Sequence, residues 1–477
     1  MSEPRSSRRA DRNAAAPGRR AGGGGRRRVD VVVALAIALP VVVAIGMGSI
    51  GSGPDTAAHG GSPTLTGLTS ASLTCPGPAG KQAEPVVVAR APRVAGGPVT
   101  VRSSGSGTRL TSSKQVTATP SSPASFAGPG PTVLDAEGAS APGLVAGRRE
   151  PAAAAACSVP SYDQWYVGLG ASAINDSVLV LTNPDPGQAV VDTELFGTNG
   201  PISADQLRGI VVPSHGVVTV DLAKKVPTRA TFAAHVQVSR GRVGVSVEHR
   251  YDRLGGAKVV SDYVPALDGA STDQSLVGAP SQTKSLLLAN PGNNEARATV
   301  RVLTSSSVFT PTGTQPVVVP PQSVVRVSMG HVVPPSAAKG MLGLVVDSDH
   351  PVLATTRGMV GGDMSMVGAS PTITGPTGAV VPDGPTKLVM AGAARAGVVD
   401  LTATDAKGHT LLSNKSVDVA PGRGVSVQLP KGAAVVTLDP RNTSIQASLV
   451  TLAKDASSVV PIRDTVVHAE VPAIRPH

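Results

Sequence analysis

Aromatic residues are nearly absent from this chain: one Trp, four Tyr and four Phe in 477 residues. Nucleic-acid surfaces stack bases on rings set among cations, and no basic stripe here carries interleaved aromatics. Nucleic acid is therefore not an expected partner, and few rings remain for a surface that stacks sugars. Cysteine is scarcer still, with Cys75 and Cys157 alone. Without a CxxC pair, thiol redox chemistry and thiolate zinc sites lack their ligands. Beyond residue 50 no amphipathic pattern runs longer than about two helical turns. Long apolar runs are missing too, with one exception.

That exception is residues 29–50, apolar from Val31 to Ile50. About 20 apolar residues can cross a bilayer as one helix. Nine Arg precede the run against Glu3, Asp11 and Asp30, and positive charge holds its side of a span in the cytoplasm. A cleavable signal has an apolar core of roughly 7–15 residues, so the length favours retention over cleavage after Gly53 or Ala58. The expectation is an Arg-rich cytoplasmic tail (1–28), a transmembrane signal-anchor (29–50), a flexible linker (51–70) and an extracytoplasmic bulk. The net charge of +10 then reads largely as topology. The two cysteines lie on the oxidising side, where an even count favours one disulfide; two buried free thiols are the alternative.

What is abundant is Gly (54), Pro (42) and valine in short runs. Such runs, punctuated by Pro and Gly, read as short strands joined by tight turns, and the fold class is all-β. A tandem repeat organises them. Val178-Leu179-Val180-Leu181-Thr182-Asn183-Pro184 is echoed by Ser285-Leu286-Leu287-Leu288-Ala289-Asn290-Pro291 and, decayed, by Lys387-Leu388-Val389-Met390-Ala391-Gly392. A second motif begins Val212-Pro213-Ser214-His215-Gly216, Val319-Pro320-Pro321-Gln322-Ser323 and Ala420-Pro421-Gly422. Asn183 to Pro213, Asn290 to Pro320 and Ala391 to Pro421 each span 30 residues, and both motifs step by 107 and then 101. Two motifs held in one register three times mean homologous modules.

The expected modules are 161–268, 269–375 and 376–470. In the first, strands are expected near 177–182, 188–196, 209–213, 216–222, 232–239 and 243–251, with the Pro-x-x-Gly turn closing a hairpin. The size and strand spacing suit immunoglobulin-like or fibronectin-like β-sandwiches. Val325 is expected to face the core of its module and Val324 the opposite side. Residues 71–160 read as a partial β domain, with Val86–Ala89 and Pro98–Val101 as strands and 102–131 as a Ser/Gly/Pro-rich loop. A Cys75–Cys157 bridge would close this region onto the first full module and loosen it, but not 376–470, when broken.

Chemistry is thinly marked. His235 and His249 alternate with core valines so as to face opposite sides, which argues against a metal pair. Asp347-Ser348-Asp349 has the DxD form that holds a metal–nucleotide, yet its repeat register places it at a polar hairpin turn. Ser281…Lys284 and Ser336…Lys339 fit SxxK but lack a KTG partner. No cofactor site is indicated. Tyr162, Trp165 and Tyr166 hold three of the nine aromatics just after Cys157. They make either a binding platform or a core plug beside the disulfide.

Ser72-Leu73-Thr74-Cys75-Pro76-Gly77, the stretch from Cys157 through Trp165 to Gly168-Leu169-Gly170-Ala171, and Leu179–Pro184 with Val191-Asp192 resemble a family of actinobacterial membrane-anchored envelope proteins of unknown function. The resemblance covers most of residues 70–460, and its specific signatures are Cys-Pro-Gly and Asn-Pro. It implies an exported β-sandwich protein, encoded often near an envelope glycosyltransferase, and carries over no catalytic residues. The favoured function is a non-enzymatic structural or accessory protein of the envelope, held at the cytoplasmic membrane and supporting a membrane or glycan-assembly partner. A cell-wall polysaccharide-binding protein is the alternative, and an enzyme ranks third.

Overall fold

Valine-rich runs become strands throughout, because β-branched side chains fit a pleated surface. The computed structural model describes residues 64–79, 85–252 and 259–471. The tail and apolar run (1–50) and most of the linker lie outside the described residues. Among the described residues no helix is long and apolar enough to cross a membrane.

The strands fall into four units of one topology. Unit III shows it plainly. Its first strand is Ser271–Val277, followed by Thr283–Asn290, Ala296–Leu303, Val317–Val319 and Ser323–Ser328. The sixth and seventh are the two halves of one long strand, Gly343–Val360, and the eighth is Asp363–Gly368. One sheet runs first–sixth–third–fourth and the other fifth–second–seventh–eighth. Unit II (Asp163–Ser172 to Val260–Tyr263) and unit IV (Thr377–Val380 to Ser457–Pro461) repeat this order. Each pair of sheets encloses its own apolar core.

Unit I corrects the expectation of a partial domain. Residues 70–156 form two four-stranded sheets in the same order, with Ser112–Ala118 and Ala124–Ala127 lying inside the tract expected to be a loop. Leu73, Val86, Val88, Val99, Val101 and Leu134 fill its core. The sequence signal is present in weakened form. Val86-Val87-Val88-Ala89-Arg90-Ala91-Pro92 stands where units II and III have their Asn-Pro strand, and Pro120-Ser121-Ser122-Pro123 stands at the second motif. Alanine in the asparagine position hides the match.

Two further expectations change. The Pro-x-x-Gly turn does not close a hairpin: Ile210–Val212 pairs with Ala189–Gly197 in one sheet, and Val217–Asp221 pairs with Asn175–Thr182 in the other. The turn is an arch between sheets. His215 (φ 48°) and Gln322 (φ 49°) take its left-handed position, a conformation that costs a side-chain-bearing residue more than glycine. The topology also departs from the immunoglobulin arrangement, which keeps its F and G strands side by side in one sheet. Here the sixth and seventh strands lie in different sheets.

The asparagine of the first motif explains the spacing of 30. Asn183 Nδ2 donates to Gly187 O (2.7 Å), Val212 O (3.2 Å) and Pro213 O (3.0 Å), while its Oδ1 accepts from Asp185 N (3.0 Å). Asn290 repeats this with Asn294 O (2.7 Å), Val319 O (3.0 Å) and Gly292 N (2.9 Å). Each amide ties the end of the second strand to the arch, so the two motifs must stay in step.

Units pack head to tail. In units I, III and IV the second strand is buried on both faces, one toward its own core and the other toward a neighbour, while in unit II the outward face is half-buried. Leu286 and Leu288 point into unit III, while Leu287 and Ala289 meet Trp165, Val167 and Ala233 of unit II. Val389 and Ala391 of unit IV join the core cluster of unit III. Val180 of unit II meets Leu110, Val133 and Val217. Val87 and Ala89 of unit I meet Val380, Ala434 and Val435 of unit IV. The last contact closes the cycle. Arg149 reinforces it by donating to Val381 O (2.9 Å) and Ala433 O (3.1 Å).

Candidate functional site

The first strand of unit II, Asp163–Ser172, carries Trp165 and Tyr166 with Tyr162 just before it, and strand alternation splits the two rings. Trp165 points toward unit III and is 8% exposed. It stacks on His235 (centroids 3.9 Å apart, planes 10°) and lies 5.4 Å from Phe196. His235 Nε2 sits 2.9 Å from Asp163 Oδ1. Tyr166 points the other way, into the core of unit II, 1% exposed, with its hydroxyl within reach of Gln164 Oε1 (2.6 Å) and Val245 O (3.0 Å). Burial pushes that hydroxyl's pKa far up. Tyr162 alone is on the surface, 73% exposed. The three rings do not form one platform.

His235 and His249 stand in different sheets of unit II, His235 on the outer face beside Trp165 and His249 in step with the core residues Val245 and Val247. His249 is fully buried, with Nδ1 2.9 Å from Ser177 Oγ and Nε2 3.0 Å from Arg357 Nη1 of unit III. Because a guanidinium can only donate, Nε2 must accept and Nδ1 must carry the proton. The imidazole thus donates to Ser177, whose Oγ also accepts from Gly170 N (3.0 Å). Burial, and then the Arg357 cation, lower its pKa to about 3. A base in that state takes no proton from serine; the Ser177–His249 bond lies within unit II, and the His249–Arg357 contact clasps unit II to unit III.

The DxD lies within the long strand Gly343–Val360 where it crosses between sheets, not at a hairpin turn. Asp347 accepts from Arg301 Nη2 (2.8 Å) and Asp349 from Arg297 N (2.7 Å). Hydrogen bonding to that backbone N–H lowers the Asp349 pKa. Among the described residues no group of three or more His, Cys, Asp or Glu side chains is placed to hold a metal. Ser281, Lys284, Ser336 and Lys339 are all exposed, and Ser336 sits in the four-residue helix Pro335–Ala338.

Two buried carboxylates escaped notice in the sequence. Asp262 Oδ2 accepts from Met366 N of unit III (2.7 Å), and Asp363 Oδ2 accepts from Ser457 N of unit IV (2.9 Å). Each sits in an eighth strand and holds the next unit's eighth strand. Burial pushes the Asp262 pKa well up, against the pull of the Met366 N–H. An acid inside an apolar run such as Val259-Val260-Ser261-Asp262-Tyr263-Val264 was the available signal.

Cys75 and Cys157 are bridged, with Cα atoms 4.2 Å apart. The bridge ties the end of the first strand of unit I to the residue after its eighth, and Thr74 and Ser158 exchange backbone hydrogen bonds beside it (2.8 and 2.9 Å). The disulfide forms part of the wall of a cavity of about 350 Å³ where units I, II and IV meet. Leu73, Val145, Val264, Val380, Val460 and Ile462 contribute apolar lining, and Ser246, Tyr263, Arg242 and Arg463 the main polar groups.

Neither a curated protein nor a solved structure matches the chain. One family model does, over residues 110–430, which take in the end of unit I, the whole of units II and III and most of unit IV. The chain belongs to this family of unknown function, DUF5719.

Proposed function

We propose that the chain is a membrane-anchored, extracytoplasmic structural protein of the cell envelope, without enzymatic activity, that offers four joined units as one body to a membrane or glycan-assembly partner. The observation that carries this is where the polar chemistry is placed. His249, Arg357, Asp262 and Asp363 bridge neighbouring units, so the groups best suited to catalysis serve assembly. The disulfide favours an oxidising compartment, and the Arg-rich tail before an apolar run favours an anchor with its N-terminus inside. An envelope glycosyltransferase is the partner class that the family resemblance suggests. The polysaccharide-binding alternative has only Tyr162 of the three clustered rings on which a sugar could stack. Protease added to intact spheroplasts should digest a C-terminal tag and spare an N-terminal one. Protection of the C-terminal tag would overturn the placement, and failure of any membrane protein to co-purify after crosslinking would overturn the accessory role.

A further inference from the structure

We propose that the cavity between units I, II and IV binds the hydrocarbon chain of an uncharged amphiphile. Its volume of about 350 Å³ falls in the range of roughly 300–1,000 Å³ typical of small-molecule sites. At the ~30 Å³ that one water takes in the liquid, that is room for on the order of ten non-hydrogen atoms. The space is written into the sequence. Ala152–Ala156 is an unbroken alanine run, and its last three residues line the cavity where units II and IV place Tyr263 and Val459-Val460. Ala141, Ala146, Gly378 and Ala379 keep the facing walls short.

The charged groups in the wall are already paired. Arg242 holds Asp185 through two bonds (3.0 and 3.1 Å), and Arg463 holds both oxygens of Asp268 (2.7 Å each). The Tyr263 hydroxyl donates to Gly77 O, Thr74 Oγ1 donates to Ser158 O, and Ser72 Oγ donates to Asp135. Among the described residues no cation in this wall is left to meet an ionised head group, whereas methylenes would gain dispersion contacts with the aliphatic lining. The guest is therefore a chain of about ten carbons with a neutral polar end.

The test uses the full chain held in amphipol, melted with and without 1-decanol or decanoate, and followed by the fluorescence of Trp165, its one tryptophan. A guest that binds only the folded state raises the midpoint. The expected result is a rise of several degrees with 1-decanol, a smaller one with decanoate, and one decanol recovered per chain by mass spectrometry of the extract. Ser246→Phe and Ala155→Leu, made separately to fill the space, should each abolish the response. No shift with either probe, or a shift unchanged in the filled variants, would overturn the site. An equal response to decanoate would overturn the uncharged end. Should both variants fail to fold, the extraction stoichiometry of the unaltered chain decides alone: one per chain supports the site, and none refutes it. None of these outcomes depends on where the protein resides in the cell.

Discussion

At the scale of single residues, the structure explains a spacing that the sequence shows but cannot account for. Asn290 is a buried amide whose donors and acceptor are all engaged by backbone. Asn290→Ala strands those groups, at about 2–4 kcal/mol, and chemical denaturation should register the loss. His249 sets a pH dependence. Its folded pKa is depressed from 6.5 to about 3, so the unfolded chain binds the extra proton between those values. The stabilisation is complete above pH 6.5 and is lost as pH falls toward 3. His249→Gln should lower stability near neutral pH and flatten that acid limb, which melting curves from pH 7 to 4 would reveal. The histidine itself was legible, as was its direction along the strand. Its partner Arg357 was not, because that contact joins residues 108 apart in sequence and obeys no local period.

At the scale of strands, the informative pattern was the failure to alternate. Leu286-Leu287-Leu288-Ala289 is apolar at every position, as are Val86-Val87-Val88-Ala89 and Leu388-Val389-Met390-Ala391. A sheet with one wet face alternates, whereas a strand covered on both faces reads as a continuous run. The repeat was visible in the sequence, but the packing of one unit on the next was encoded in this departure from period two. The expected directions of Val324 and Val325 hold, and the same fact adds that the face opposite the core is covered as well. Val325 is half-buried against the core of unit III, while Val324, at 1% exposure, lies in the junction with Trp165. Neither faces water. Val324→Asp should therefore cost more than about 4 kcal/mol, since a carboxylate there has no partner. A red shift of Trp165 emission, or loss of soluble protein, would report it; wild-type emission and stability would contradict the placement.

At the scale of the whole molecule, closure of the cycle alters what the disulfide does. Breaking Cys75–Cys157 removes about 4–5 kcal/mol on a chain-entropy account. Were the units independent, that loss would stay within residues 71–160, as the sequence alone suggests. Unit I instead packs on unit IV through Val87, Ala89, Val380 and Val435, so loosening one exposes apolar surface on the other. Reduction should lower a single transition seen alike by Trp165 fluorescence and far-UV circular dichroism. Two separated transitions would show that the junctions are weak. Closure also limits how this architecture can change its length. An open solenoid can gain or lose a repeat at little cost, because each repeat touches only its neighbours. In a cycle of four, deleting or duplicating one unit leaves two apolar faces without their complements. Changes in such a chain over generations should therefore collect in its loops and arches, with the repeat number held at four by geometry.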